Sequence, residues 1–137
     1  MPRIRDVRVG DVLPERSHTP TNVSLFLYNA AVWNAHRIHY DSQYTTQVEK
    51  HREIVIDGPL QGDWLAQCVS NWLRDEGELL RFAYSNRRAT YLGETLTSGG
   101  VVTAVDPVGR LVTIELFVEN AQGEVTSPGE ATVRLSA

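Results

Sequence analysis

A change of hydrophobic period near residue 78 constrains the fold of this chain more than any other feature. Before it, apolar side chains recur every three or four residues from Leu60 to Leu73, which predicts an amphipathic helix. Pro59 suits the first turn of that helix, and Gly77 is expected to stop it. The apolar face consists of Leu60, Trp64, Leu65, Cys68, Val69, Trp72 and Leu73.

Beyond residue 78, apolar and polar side chains alternate in the stretches 80–85, 112–119 and 131–136. Turn-forming residues stand between the later stretches, at 106–109 and 120–123. This pattern predicts four strands in series, an antiparallel meander with one polar face. The long helix must cover the apolar face. The sequence therefore predicts an α+β hot-dog fold, in which a curved antiparallel sheet wraps around a long central helix.

The N-terminal part is predicted to contain shorter elements. Residues 7–14 look extended and end at a turn. Thr21 or Asn22 can cap a helix over residues 23–33. Because this segment is apolar nearly all round, we expect the helix to be buried, although a strand is the alternative for so short an apolar run. Residues 54–56 are predicted to form a short strand.

Composition excludes some classes of function. A length of 137 residues predicts one domain over residues 1–137, and a net charge of −4 argues against nucleic-acid binding. No apolar run reaches the ~20 residues of a membrane helix, and no secretory signal is visible, so a cytoplasmic location is expected. The single cysteine, Cys68, lies on the apolar helix face and is expected to be inert.

The most functional-looking segment lies between two apolar stretches. Asn34, His36, Arg37, His39 and Asp41 fall within eight residues. Polar groups placed against a core are costly unless they are paired or used, and this density favours use. Asp41 is most simply the cap of a short helix that ends near residue 48.

This segment resembles a known family. MaoC-like (R)-specific enoyl-CoA hydratases and 3-hydroxyacyl-thioester dehydratases, which have the hot-dog fold, carry an Asp, a His five residues later, and a His-Gly pair at the start of the central helix. Here Asn34 and His39 have that spacing, and Asp57-Gly58 begins the predicted helix. Within this family, the sequence of residues 28–41 most resembles the C-terminal half of two-repeat mitochondrial dehydratases and of mesaconyl- or itaconyl-CoA hydratases. Asn34 and Asp57 depart from the family pattern.

The resemblance implies a hydro-lyase that hydrates a 2-enoyl-CoA thioester or dehydrates a 3-hydroxyacyl-CoA thioester. His39 would be the general acid/base, because imidazole titrates near neutral pH. Asn34 would position the water, and the Gly58 N–H, at a helix N-terminus, would stabilise the thioester oxygen. Gly58 would also allow close approach of the thioester. The resemblance leaves short dicarboxylic, fatty, polyketide and steroid side-chain thioesters open as substrates.

Several neighbours of these residues have two interpretations. Asp57 is either a buried carboxylate that orients its neighbours, which we favour, or a second proton acceptor that compensates for Asn34. Trp33 shapes an acyl pocket or packs in the core. His36 is a candidate for the rim of the substrate site. Arg37 could contact a phosphate, but a solvated side chain is slightly favoured. The doublet Arg87-Arg88 is either a contact to an anionic ligand or a solvated strand end.

No metal and no redox cofactor is expected, because His36 and His39 lack further ligands and no glycine-rich dinucleotide turn is present. The expected partners are an acyl-CoA or acyl-carrier substrate and a second hot-dog subunit, as a homodimer or heterodimer, since one sheet leaves its edges open. Two rival functions remain: thioester hydrolysis, with Asp63 as the helix carboxylate, and a non-catalytic partner subunit.

Overall fold

Residues 2–137 are described by a computed structural model, which places four helical segments and five strands along the chain. In chain order the elements are β1 (Val12–His18), α1 (Asn22–Ala31), a 3₁₀ turn (Arg37–His39), α2 (Ser42–Gln47), α3 (Gly58–Leu73), β2 (Gly77–Tyr84), β3 (Leu96–Asp106), β4 (Leu111–Glu119) and β5 (Val125–Leu135).

The five strands form one antiparallel sheet in the order β1-β3-β4-β5-β2. Strands β3, β4 and β5 follow one another as the predicted meander. The prediction of four strands in series is wrong for β2, which precedes β3 in sequence but pairs with β5 at the far edge. Residues 85–95 connect β2, at one edge of the sheet, to β3, which lies next to β1 at the opposite edge.

The core lies between α3 and the sheet, and α3 contacts all five strands. Leu65 and Val69 of the helix are fully buried, as are Ile114, Leu116 and Val133 of the sheet. Each such side chain contributes about 1.5–3 kcal/mol by leaving water, so this layer is the main source of stability. One long helix against one antiparallel sheet is the predicted hot-dog fold.

The apolar face of α3 was predicted correctly, but the helix also buries Gln61 and Gly62. The β-carbon of an alanine at position 62 would overlap the ring of Tyr84, so the ring would have to move if Gly62 were replaced. The expected stop at Gly77 is wrong. The helix ends at Leu73, and Arg74 takes a left-handed backbone conformation with φ 50°.

The predicted burial of the first helix is wrong. Thr21 caps α1 in a reciprocal arrangement with Ser24, as the sequence indicated. Only Leu25 and Asn29 of this helix are buried, whereas Phe26 is 60% exposed. The apolar residues of α1 that face outward are Val23, Phe26 and Leu27. An apolar run alone does not show which of its sides another element will cover.

Two shorter predictions also need correction. The extended lead-in over residues 7–14 instead contains a turn closed by Arg8 and Asp11, after which β1 continues to His18. Residues 54–56 form no strand, and only an isolated bridge joins Val55 to Tyr91. Across residues 2–137, no helix has both the length and the apolar character needed to cross a membrane.

Candidate active site

The loop after α1 places His39 in the 3₁₀ turn, where its side chain is almost entirely buried. Nδ1 of its ring lies 2.8 Å from the carbonyl oxygen of Val55. Because a carbonyl oxygen only accepts, Nδ1 carries the hydrogen and donates it. Nε2 is then the nitrogen available for proton transfer, and it lies 3.4 Å from Oδ2 of Asp57.

Asp57 is the only carboxyl group buried in the described part of the chain, residues 2–137, and it has no exposed surface. Its Oδ1 accepts a hydrogen bond of 2.9 Å from the Asn29 amide, and the Asn34 amide approaches Oδ2 at 3.5 Å. Burial raises the pKa of the Asp57 carboxyl, and the Asn29 hydrogen bond and the His39 ring oppose that rise. The carboxyl of Asp57 is therefore held by three polar side chains, those of Asn29, Asn34 and His39.

A cleft of about 290 Å³ opens beside this pair. Its walls are mostly apolar, and its polar members are the two residues that donate to Asp57, Asn29 and Asn34. The cleft is lined by Phe26, Asn29, Ala30, Trp33, Asn34, Ala35 and Tyr40. Trp33 is 95% exposed and has φ 57°, so core packing of its ring, one of its two interpretations, is wrong.

A second cavity of about 200 Å³ lies at the first turn of α3. Gly58, Asn86, Arg87 and Arg88 belong to its wall. The Gly58 N–H has no hydrogen-bond partner among residues 2–137, so it is free to bind an acceptor. The space beside its α-carbon is occupied, since the β-carbon of an alanine there would overlap the Asn86 amide.

The structure brings Asn34, His39 and Asp57 together and places Gly58 next to them in the chain. Neither His39 nor Asp57 lines either cavity, and Asp57 is connected to the cleft through its contacts with Asn29 and Asn34. His36 is exposed, with its ring edge-on to that of His39 at a centroid distance of 5.9 Å.

The arginines are held by other side chains. Arg37 binds the Asp41 carboxylate at 2.8 Å and stacks on the Tyr44 ring. Asp41 caps α2 through Tyr44, as predicted. The hydrogen bond from the Tyr44 backbone, followed by the one from Arg37, lowers the pKa of Asp41. Arg88 pairs with Glu124 at 2.9 Å on the surface, whereas Arg87 makes one long contact to Ser85.

Sequence reasoning missed the polar residues that support the site from behind. Asn29 binds Asp57, and its Oδ1 is buried with no hydrogen-bond partner. Gln61 of α3 binds Thr90 and Ser127, and Ser127 in turn is 2.8 Å from Asn86. A polar residue inside an apolar helical run was the available signal for Asn29. The others meet only through the tertiary structure.

The remaining sequence-based candidates lie elsewhere. Asp63 is exposed on α3. Burial of the Tyr28 hydroxyl, followed by the charge of Asp63, raises the pKa of Tyr28 to about 12. Cys68 is buried, and burial raises the pKa of its thiol. No group of three or more His, Cys, Asp or Glu side chains within residues 2–137 could hold a metal ion.

The sequence matches one family. The family model "Hydroxyacyl-thioester dehydratase type 2" matches residues 7–92. Two curated relatives carry that same name with the word "mitochondrial": one from Saccharomyces cerevisiae, 30% identical over 60% of this chain, and one from Schizosaccharomyces pombe, 40% identical over 35%. These matches span only 29% and 17% of the relatives' lengths. The cytoplasmic location stays a prediction.

Solved structures agree with the fold at low sequence identity. A MaoC-like dehydratase superimposes with a TM-score of 0.87 at 21% identity, covering 98% of this chain and 42% of that one. The (R)-hydratase from A. caviae involved in PHA biosynthesis gives 0.86 at 17% identity, covering 96% and 98%. A chain of the ChsH1-ChsH2 complex from Mycobacterium tuberculosis gives 0.82 at 19% identity, covering 93% and 98%.

The family model covers well over half of the chain, and it includes Asn34, His39, Asp57 and Gly58. The structural neighbours have the same α+β hot-dog architecture. The chain therefore belongs to the hydroxyacyl-thioester dehydratase type 2 family.

Proposed function

We propose that this chain is a hydro-lyase that adds water to a 2-enoyl thioester, or removes it from a 3-hydroxyacyl thioester, with CoA or an acyl carrier as the thiol. The observation that carries the proposal is the buried pair of His39 and Asp57 next to the unpaired Gly58 N–H. Membership of the dehydratase family supports the reaction class.

The reaction needs three groups, and the site has a candidate for each. Water must attack the β-carbon, a proton must reach the α-carbon, and negative charge must be stabilised on the thioester oxygen. Nε2 of His39 can take and give the proton, because Nδ1 is committed to Val55. Asn34 lines the cleft and can hold the water in line.

The Gly58 N–H suits the developing oxyanion. It lies at the N-terminus of α3, where the helix dipole is positive and its N–H has no other partner. Removing a single oxyanion donor typically costs ~10²–10³-fold in kcat. Ala at this position would retain the N–H but would displace Asn86, so the role of Gly58 includes leaving room for that side chain.

The two cavities suggest how the substrate lies. The apolar cleft with Phe26 and Trp33 fits an acyl chain. The cavity at Gly58 carries Arg87 and Arg88 on its wall, and guanidinium groups favour phosphate. A thioester that spans both cavities would place its carbonyl group near Gly58 and its phosphates near the arginines.

A second hot-dog subunit, identical or related, belongs to this proposal. Strands β1 and β2 are the two edges of the sheet, and β2 leaves Leu79 and Leu80 more than 40% exposed. Open edges with apolar side chains favour pairing. The ChsH1-ChsH2 neighbour is a complex, which gives a precedent for pairing with a related, non-identical subunit.

Two rivals remain within this proposal. Asn34, an amide where the family pattern has a carboxylate, is the observation that favours a non-catalytic partner subunit. Assaying the purified chain alone and with its genomic neighbour separates that case from a self-sufficient enzyme. Hydrolysis with Asp63 has less support, because that residue is exposed and lines neither cavity. Release of free thiol from a saturated acyl-CoA would favour hydrolysis.

The test is hydration of crotonyl-CoA, followed by loss of the enoyl thioester absorbance. His39→Ala is expected to lose about 10²–10⁴-fold in kcat while the circular dichroism spectrum is retained. His51→Ala is the matched control, because His51 is part-buried and contacts Tyr91 away from the cleft. Turnover of His39→Ala at the level of the control would refute the role of His39.

A further inference from the structure

We infer that Asp57 gives His39 the carboxylate partner that position 34 lacks, so the carboxylate reaches the imidazole from the start of α3 instead of from the loop. This inference rests on the proposed function and identifies a positioning residue for it. Asp57 acts through His39 and has no exposed surface with which to touch the substrate.

Positions 34 and 57 converge on one point. Oδ2 of Asp57 lies 3.4 Å from Nε2 of His39, and the same oxygen is 3.5 Å from the Asn34 amide. A carboxylate at position 34 would therefore lie near the same ring. Asn34 cannot supply a negative charge there, and Asp57 can.

The simplest structural role for Asp57 does not account for its carboxylate. Asp57 is the residue before the first turn of α3, where an Asp side chain usually caps the helix. Its carboxylate makes no such cap bond. Both oxygens are instead directed at Asn29, Asn34 and His39.

The buried surroundings of Asp57 disfavour a charged carboxylate. A buried carboxylate is strongly disfavoured unless it is paired and hydrogen-bonded, and an asparagine would fit the same space without the charge. The titratable groups that face Asp57 are His39 from the 3₁₀ turn and Tyr28 from α1. Of these, only His39 can become positive.

The pair supports a proton cycle with one base. In hydration, the water oxygen forms a bond to the β-carbon and its proton passes to Nε2 of His39, while the electron pair of the double bond moves onto the thioester oxygen. The enolate then takes that proton from Nε2 at its α-carbon. Between these steps the imidazolium is neutralised by the Asp57 carboxylate, and both groups end as they began.

The kinetic test uses Asp57→Asn, which keeps the shape and removes the charge. We expect kcat for crotonyl-CoA hydration to fall by about 100-fold with little change in KM, as for partners that act through another residue. The acid limb of the kcat pH profile, which reports loss of the free imidazole, should move to lower pH, because a neutral amide no longer favours the imidazolium. Asp75→Asn, an exposed carboxylate just past α3, is the control and should match the wild type.

The exchange variant Asn34→Asp/Asp57→Asn moves the carboxylate to the other position. It is expected to recover roughly tenfold or more of the activity lost in Asp57→Asn, because a carboxylate again faces His39. A double variant no better than Asp57→Asn, or a folded Asp57→Asn with wild-type kcat, overturns the inference. Recovery in the double variant also rules out misfolding as the cause of the loss.

A readout without turnover separates this inference from the proposed function. In a pH titration followed by ¹⁵N NMR, the midpoint of the His39 Nε2 resonance should lie at lower pH in Asp57→Asn than in the wild type, because the variant has no carboxylate to favour the imidazolium, and the midpoint of His51 should stay in place. An unchanged midpoint for Nε2 overturns the inference. If the wild-type protein hydrates no enoyl thioester but Asp57→Asn still changes the Nε2 midpoint, the proposed function is refuted and the pairing of His39 with Asp57 stands.

Discussion

Gly58→Ala offers a quantitative test of how the first turn of α3 is built. The backbone at Gly58 has no positive φ, so alanine is compatible with the helix. Its β-carbon would overlap the Asn86 amide, which must then leave its contact with Ser127 at 2.8 Å. Losing that hydrogen bond destabilises the protein by about 1 kcal/mol. Alanine in place of glycine stabilises it by about 0.5–1 kcal/mol, because alanine lowers the conformational entropy of the unfolded chain.

The two effects separate in a double-mutant cycle. Asn86→Ala alone should cost about 1 kcal/mol, because it removes the same hydrogen bond. In that background Gly58→Ala should stabilise by about 0.5–1 kcal/mol, since nothing is left to overlap. The coupling energy between the two positions is therefore expected to be about 1 kcal/mol.

The assay is urea unfolding followed by circular dichroism and tryptophan fluorescence, with all four proteins compared at the same protein concentration. Additivity within about 0.3–0.5 kcal/mol would refute the packing of Asn86 on Gly58. Activity adds a second distinction. Because Gly58→Ala retains the N–H, recovery of turnover in the double variant would show that the glycine serves Asn86 and not close approach of the thioester.

Four further predictions concern the site and the core. Asn34→Asp alone should lower both kcat and the free energy of unfolding, measured by crotonyl-CoA hydration and urea unfolding, because it places a second carboxylate near Oδ2 of Asp57; a gain in turnover would contradict this. Trp33→Ala should leave the free energy of unfolding within about 0.5 kcal/mol and raise KM for longer acyl chains, since the ring is exposed and lines the cleft. Leu65→Ala should destabilise by about 2–5 kcal/mol in urea unfolding, and a cost below 1 kcal/mol would contradict the central position of this side chain. Asp41→Ala should lower the stability of the fold at neutral pH and have little effect well below pH 3.8. The reason is that folding lowers the pKa of Asp41, so the stability that its carboxylate contributes is lost when the carboxylate is protonated. Thermal unfolding at the two pH values checks this.

Local chemistry made part of the structure predictable. The face of α3 follows from spacing alone, and the caps Thr21 and Asp41 follow from residue type at a helix start. The strand β3 gave no alternating signal, because Ser98, Gly99 and Gly100 lie in its buried part. Gly100 leaves room for Leu116 and Ile114 of β4, a contact that no local pattern can reveal.

The site was predictable only where the resemblance supplied the spacing. Asn34 and His39 lie on one loop, and the approach of Asp57 to that loop depends on how α3 begins relative to the 3₁₀ turn. The choice between an orienting role and a proton-accepting role for Asp57 needed the distance to Nε2. The contribution of Asn29 needed the packing of α1 against that same carboxylate.

The most direct test of the central claim is a crystal structure of the His39→Ala variant with bound crotonyl-CoA, which this variant should turn over only slowly. The account predicts the thioester oxygen within about 2.7–3.1 Å of the Gly58 N and the double bond at the space vacated by the imidazole. The acyl chain should point into the cleft beside Trp33. A thioester bound away from both Gly58 and position 39, in a crystal with well-defined ligand density, would contradict the account.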